Sequence, residues 1–168
     1  MLEIEHYNIR VLNIFPETIA DGEGLRYSIY LSGCTHGCHG CHNLESWNPQ
    51  AGELLTTPML TQMILEINEN MLLDGVTLSG GDPFYNIRGL LVLLKILKKN
   101  IKGTIWCYTG YTYEQLCANE QYQRALIYVD VLIDGRFDIS KFDPSLSFIG
   151  SSNQRVLYLQ EHDFSLKY

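Results

Sequence analysis

The sequence predicts an α/β protein with a largely parallel sheet. Short apolar runs alternate with longer stretches of helical periodicity, about four or five times along the 168 residues. Each apolar run ends on glycine or another turn residue, so the carboxyl ends of the predicted strands would share one edge that carries the site. The length suits one domain with its own core, and we predict a single domain over residues 1–168.

The first half of the chain predicts two strands and a helix. We expect strands at 9–15 and 26–31, and the first of them should end at Pro16. Thr57 followed by Pro58 predicts a helix start, with Thr57 as the N-cap and Pro58 at the first helical position. The apolar residues at helical spacing that should form its buried stripe are Leu60, Met63, Ile64, Ile67 and Met71.

The second half continues the alternation of strands and helices. The predicted elements are a strand at 76–78, a helix at 87–99, a strand at 104–108, one or two helices within 113–126, and strands at 128–133 and 155–159. Two segments that follow predicted strands carry residues suited to chemistry, and both would lie at the same edge of the sheet.

Composition and charge disfavour two classes of function. The hydrophobic content of 46% is ordinary for a globular protein, and the net charge of −7 argues against general nucleic-acid binding. Acidic residues occupy the start of the chain, where a signal peptide would be basic and then apolar. The longest apolar run, 90–97, is interrupted by Lys95 and is far shorter than the roughly 20 residues of a spanning helix. We therefore expect a cytoplasmic protein that binds neither nucleic acid nor membrane.

Residues 34–42, directly after the second predicted strand, gather three cysteines and three histidines. In a reducing compartment, clustered cysteines are more often metal ligands or catalytic groups than disulfides, and a total of five disfavours complete pairing. Thiolates bind both zinc and iron–sulfur clusters, so two interpretations stay open. One is a structural zinc with a histidine as fourth ligand, and the other is a [4Fe–4S] cluster with one iron free of protein ligands. The residues concerned are Cys34, Cys38, Cys41, His36, His39 and His42.

Residues 79–83 follow the next strand and contain two glycines and an aspartate. Gly80 and Gly81 would let the backbone approach a small molecule, and the Asp82 carboxylate could accept hydrogen bonds from an ammonium group. Taken alone, the segment is better interpreted as a tight turn. At the same edge as three thiolates, a ligand-binding role becomes the stronger interpretation.

These motifs together resemble the radical S-adenosylmethionine superfamily, and more specifically the anaerobic ribonucleoside-triphosphate reductase activating proteins. Gly40 stands where the superfamily often has an aromatic residue, and His42 stands where these activating proteins usually have tyrosine. The segments that carry the resemblance are 21–26, 32–34, 40–43, 46–47, 78–83, 106–111, 131–137, 143–146 and 150–154.

The resemblance implies an open, partial β/α barrel with one [4Fe–4S] cluster, whose three thiolate ligands would be Cys34, Cys38 and Cys41. S-adenosylmethionine would bind the fourth iron, and its reductive cleavage would give a 5′-deoxyadenosyl radical. This radical would take a hydrogen from a glycine of the large glycyl-radical subunit of the reductase. The partners implied are that subunit and a low-potential electron donor such as flavodoxin. The residues implied in binding S-adenosylmethionine are Gly40, Cys41, His42, Gly80, Gly81, Asp82 and Thr109.

Two alternatives remain beside this interpretation: an activase of a different glycyl-radical enzyme, and a non-enzymatic zinc-binding module. We expect Cys107 and Cys117 to be core residues, and His36 and His39 to be bystanders in the cysteine loop. Residues 151–154 are equally compatible with the mouth of the site and with a polar turn.

Overall fold

A seven-stranded mixed sheet organises residues 3–160, the part of the chain that the computed structural model describes. The strands are β1 (Arg10–Thr18), β2 (Arg26–Leu31), β3 (Glu53–Leu54), β4 (Gly75–Gly80), β5 (Thr104–Tyr108), β6 (Val131–Asp134) and β7 (Arg155–Tyr158). The α-helices are α1 (Thr57–Glu69), α2 (Ile87–Asn100), α3 (Tyr113–Cys117) and α4 (Glu120–Leu126). Short 3₁₀ helices cover Ile4–Tyr7, Leu44–Trp47, Pro83–Asn86 and Ile139–Lys141.

The strand order is β3-β1-β2-β4-β5-β6-β7, and the four central strands β2, β4, β5 and β6 are parallel. β1 and β7 run antiparallel to their inner neighbours, and β3 runs antiparallel to β1. The α/β class and the open sheet are therefore confirmed. The antiparallel outer strands were not predicted, because periodicity gives no direction to a strand.

The two faces of the sheet are covered differently. Successive side chains of β5 point to opposite faces of the sheet. Ile105 and Cys107 belong to the large core that packs against the helices, whereas Trp106 belongs to a smaller cluster on the other face. That smaller cluster is covered by residues 148–149 and by side chains of β7. None of the helices within residues 3–160 combines the length and hydropathy needed to cross a bilayer.

Strand β1 continues through Pro16 to Thr18, so the prediction that it ends at Pro16 is wrong. Phe15 pairs with Ser28 and Thr18 pairs with Arg26, which leaves one extra residue in β1 between the two pairs. Such a bulge accommodates a proline, since the missing N–H removes no regular ladder bond there.

Helix α1 is capped by Thr56, one residue before the predicted N-cap. The Thr56 hydroxyl accepts a hydrogen bond from the Met59 N–H at 3.3 Å. Thr57 instead contacts Glu5. The Thr57 N–H donates a hydrogen bond to the Glu5 carboxylate at 2.6 Å, and the Thr57 hydroxyl donates another at 2.9 Å. This backbone bond is the main reason that the pKa of Glu5 is lowered. By residue type, either of the two adjacent threonines could cap the helix. Thr57 is engaged by Glu5, 52 residues earlier, and Thr56 therefore forms the cap.

The predicted stripe of α1 is correct in its centre and wrong at its end. Leu60, Met63 and Ile67 are buried and Ile64 is partly buried, but Met71 is 83% exposed. The helix ends at Glu69, so Met71 no longer follows the helical period.

Candidate functional site

Three loops meet where parallel strands end: residues 32–42 after β2, 81–83 after β4 and 109–112 after β5. They enclose one side of a cavity of about 250 Å³. The chain between β6 and β7 completes the lining. The residues that line the cavity are Cys34, His36, Cys38, Cys41, His42, Asn43, Trp47, Ser79, Gly80, Gly81, Tyr108, Thr109, Gly110, Gly135, Phe137, Gly150 and Gln154.

All three cysteines of the loop contribute to this cavity. Cys34, Cys38 and Cys41 are partly buried, and their thiols are free. Burial is the largest effect on the pKa of Cys34 and of Cys38, and raises both. Cys107 is fully buried in β5 and Cys117 packs partly buried against the core, so neither lines the cavity, as predicted.

A single ion and a cluster each need a different arrangement of the donors around the cavity. Within residues 3–160, no three His, Cys, Asp or Glu side chains converge on one ion position. A structural zinc needs four donors around one point, whereas each thiolate of a [4Fe–4S] cluster serves a different iron. His36 is held in a buried contact with Asp82, and His39 is exposed. Three free thiols that line one cavity are a donor set that a [4Fe–4S] cluster takes, so the residues present fit that group.

The glycines after β4 allow two loops to touch. Gly80 has a φ of +103°, and a side chain there would overlap the backbone of Leu31. A side chain on Gly81 would overlap the carbonyl groups of Gly33 and Ser46. The Gly81 N–H donates to the Leu31 carbonyl at 2.8 Å, and the Gly33 N–H donates to the Ser46 carbonyl at 2.7 Å. Gly80 and Gly81 still line the cavity, but the space left by their missing side chains is filled by protein backbone.

The Asp82 carboxylate is 2% exposed and has protein partners on both oxygens. Oδ1 accepts from the Phe84 N–H at 2.9 Å. Oδ2 lies 2.5 Å from Nε2 of His36, and accepts from the Thr109 hydroxyl at 2.9 Å and from the Gly110 N–H at 3.0 Å. Asp82 is not among the cavity-lining residues, so its expected contact with an ammonium group has no support in this geometry.

His36 is the site residue that sequence reasoning missed, because it was expected to be a bystander. Its side chain is 5% exposed, and its ring stands edge-on to Tyr111 with the centroids 4.6 Å apart. The partner Asp82 lies 46 residues further along the chain, so local sequence carried no signal of the contact.

Gly40 and His42, the two residues of the cysteine loop (34–42) that depart from the usual residue types, differ in whether they line the cavity. His42 lines the cavity, and its ring centroid lies 5.3 Å from that of Phe137 and 6.2 Å from that of Phe142. Gly40 is exposed, does not line the cavity, and has Ile139 above it. The structure therefore brings His42, but not Gly40, to the site.

Among residues 151–154, Gln154 lines the cavity, whereas Ser151, Ser152 and Asn153 do not. The Gln154 amide nitrogen donates to the Gly135 carbonyl at 3.0 Å, and the amide oxygen accepts from the Gly150 N–H at 2.9 Å. Gly135, Gly150 and Gln154 all line the cavity. The side chain thus ties the chain before β7 to the end of β6.

Comparison with known proteins identifies the family. Residues 20–157 match the model of a 4Fe-4S single cluster domain. An anaerobic ribonucleoside-triphosphate reductase-activating protein of Pasteurella multocida is 41% identical over 148 residues, which is 84% of this chain and 92% of the relative. Proteins of the same name from Haemophilus influenzae and Escherichia coli are 40% and 36% identical, over 86% and 87% of this chain and 95% and 96% of their own lengths. The chain thus belongs to the family of anaerobic ribonucleoside-triphosphate reductase-activating proteins.

Proposed function

We propose that the protein is an iron–sulfur enzyme that cleaves S-adenosylmethionine reductively and generates a glycyl radical in anaerobic ribonucleotide reductase. The observation that supports this most directly is the cavity itself, in which three partly buried thiols face the glycine-rich ends of parallel strands. The match to a 4Fe-4S domain and the names of the relatives point in the same direction.

The proposed roles follow from what each group can reach. Cys34, Cys38 and Cys41 would bind three irons of one cluster. When bound, the cluster would supply one electron and S-adenosylmethionine the 5′-deoxyadenosyl radical that takes a hydrogen from a glycine Cα of the reductase. The backbone of Gly80 and Gly81 would hold the methionine end, since these residues line the same cavity as the thiols.

His42 and Thr109 contribute to the cavity wall and would contact S-adenosylmethionine there. The Thr109 hydroxyl already donates to Asp82 and accepts from the Tyr111 N–H at 3.1 Å. Its role is therefore to shape the cavity around the ligand and to keep water from that wall.

The reductase would approach over an apolar rim beside the cysteine loop, defined here as Leu44, Ile139 and Phe142. These side chains are 62%, 47% and 48% exposed. Ile139 lies over Gly40, and Phe142 lies near the ring of His42. Leu44 directly follows Asn43, which lines the cavity, so the rim borders the mouth of the cavity. A glycine held within another polypeptide can reach the site only if that polypeptide covers the mouth.

Anaerobic reconstitution tests the proposal. We expect a brown protein with about four irons per chain, the number in one [4Fe–4S] cluster. Reduced protein should convert S-adenosylmethionine to 5′-deoxyadenosine and methionine. With the reductase large subunit added, electron paramagnetic resonance should detect a glycyl radical. A colourless protein that holds one zinc and leaves S-adenosylmethionine intact would refute the proposal.

The choice of partner is tested separately. Incubation with other glycyl-radical enzymes should give no glycyl radical; a signal from one of them would favour the alternative activase. We also propose a low-potential donor such as flavodoxin and a cytoplasmic setting. Reduced flavodoxin should replace chemical reductant in the cleavage assay.

A further inference from the structure

The buried contact between His36 and Asp82 joins three strand-end loops. Their side chains are 5% and 2% exposed, and Nε2 of His36 lies 2.5 Å from Oδ2 of Asp82. The same oxygen accepts hydrogen bonds from the Thr109 hydroxyl and the Gly110 N–H. One carboxylate oxygen therefore connects the loop after β2, through His36, with the loop after β5.

The environment leaves the His36 ring little freedom. Tyr111 stands edge-on against it, and a Cβ added at Gly110 would lie 2.5 Å from its Cδ2 atom. A buried carboxylate that loses a hydrogen-bond partner is strongly disfavoured, so the contact also constrains Asp82.

The segment between Cys34 and Cys38 depends on this contact. Within the described residues 3–160, residues 34–37 form no backbone–backbone hydrogen bond with the sheet or with other loops. Immediately before the segment, the Gly33 N–H donates a hydrogen bond to the Ser46 carbonyl. The next backbone hydrogen bond in the loop runs from the Cys41 N–H to the Cys38 carbonyl. The His36 side chain thus joins this segment to the loops after β4 and β5, while the Cys38 thiol at its far end contacts the backbone of Phe137.

We propose that His36 is a positioning residue that, through Asp82, fixes the segment between Cys34 and Cys38 and so arranges the thiols before iron binds. The inference rests on the proposed function only for the identity of the bound cluster. The order of the loop itself is a property of the iron-free protein and can be measured there.

The first experiment compares His36→Gln with His39→Gln in the full-length iron-free protein. His39 lies in the same loop but is exposed, so its variant is the matched control. Under anaerobic conditions, alkylation of Cys34 and Cys38 by iodoacetamide is followed by mass spectrometry. We expect both thiols to react about tenfold faster or more in His36→Gln, because the segment opens more often. His39→Gln should react at the wild-type rate.

A second pair of variants separates positioning from general loss of structure. Gly110→Ala keeps His36 and Asp82 but forces the ring away, so it should also accelerate alkylation of Cys34. On the alkylation of Cys34, the effects of His36→Gln and Asp82→Asn should be less than additive in the double variant, since both act on the contact between His36 and Asp82 while Asp82→Asn also disturbs Thr109 and Gly110. Far-ultraviolet circular dichroism verifies that each variant is folded. If His36→Gln loses its fold, the comparison of Gly110→Ala with wild type decides.

The cluster-bearing protein provides a further measurement. After reconstitution, His36→Gln should raise KM for S-adenosylmethionine by a larger factor than it lowers kcat, because the loops that contact the ligand lose their fixed relation. His39→Gln should leave both constants unchanged. Wild-type alkylation rates in folded His36→Gln and Gly110→Ala would overturn the inference. A wild-type protein that assembles no cluster or does not cleave S-adenosylmethionine would instead refute the proposed function, and the alkylation result would stand.

Discussion

At the scale of single residues, the site separates groups that face the ligand space from groups that hold the loops. Cys34, Cys38 and Cys41 present partly buried thiols to the cavity. Asp82 has four protein donors around it and joins the loops that surround the site. Substitution of a residue in the first group should therefore remove the cluster, and substitution in the second should disturb its surroundings.

Cys41→Ala tests the first group. It removes one of three thiolates, so we expect reconstituted protein to hold less than half of the wild-type iron and to lose cleavage of S-adenosylmethionine. Iron analysis and quantification of 5′-deoxyadenosine measure both effects. Cys117→Ser, on α3 outside the cavity, is the control and should keep both. Full activity in Cys41→Ala would show that Cys41 is not a ligand.

The cysteine spacing could be found from the sequence because its residues lie within eight positions, whereas the contact between His36 and Asp82 could not. That contact exists only because parallel β2 and β4 end at the same edge. The same reason explains Gly81: its missing side chain makes room for the carbonyl group of Gly33, 48 positions earlier.

At the scale of elements, burial decided which boundaries could be predicted. Strands β2 and β5 begin and end where predicted, because most residues of each strand are buried. The bulge in β1 depends on the pairing of Thr18 with Arg26, and the choice of Thr56 as the cap of α1 depends on the contact of Thr57 with Glu5. The local sequence pattern reveals neither contact.

Thr56→Ala tests the observed cap of α1. Loss of the hydroxyl leaves the Met59 N–H without its side-chain acceptor, and we expect the free energy of unfolding to fall by about 1 kcal/mol. Urea denaturation of the iron-free protein measures it. Thr61→Ala, on the exposed side of the same helix, should change stability by less than about 0.5 kcal/mol. An equal loss in both variants would argue against the cap.

The ion pair between α3 and β7 should make the stability of the fold depend on pH. Hydrogen bonding to Arg155, at 2.8 Å between Nη2 and Oε2, lowers the pKa of Glu114 to about 2. A lowered carboxyl pKa stabilises the fold above the unfolded value near 4.5, and this contribution is lost as the pH falls toward 2.

We therefore expect wild type to be more stable than Glu114→Gln at pH 7, with the difference shrinking between pH 4.5 and 2. Both groups are substantially exposed, so added salt should also reduce the difference. Urea denaturation across this pH range measures it. A difference that stays constant with pH would contradict the assignment to Glu114.

At the scale of the whole molecule, the cavity and the apolar rim lie at the carboxyl ends of the parallel strands, and the turn before β4 lies at their amino ends. Leu44 on the rim is 62% exposed, and Leu72 near the amino end of β4 is 75% exposed. These two leucines allow the proposed approach of the reductase to be tested with matched substitutions.

Leu44→Ser should lower the yield of glycyl radical in the reductase several-fold at limiting activator, because less apolar area is buried in the complex. Cleavage of S-adenosylmethionine without the reductase should be unchanged, since Leu44 does not line the cavity. Leu72→Ser should leave both activities at wild-type level. Radical yield by electron paramagnetic resonance and 5′-deoxyadenosine by chromatography give the two values. Equal yields from the two variants would exclude the rim as the contact surface.

The open sheet also has a consequence for survival in air. Within residues 3–160, β3 and β7 lie at opposite edges and do not pair, so the strands do not close around the cavity. The three cysteines are partly exposed, so we expect dioxygen to reach a cluster that they hold. A polypeptide seated on the mouth would shield that cluster from oxidation. The lifetime of its colour in air should therefore be longer for the complex with the reductase than for the activating protein alone.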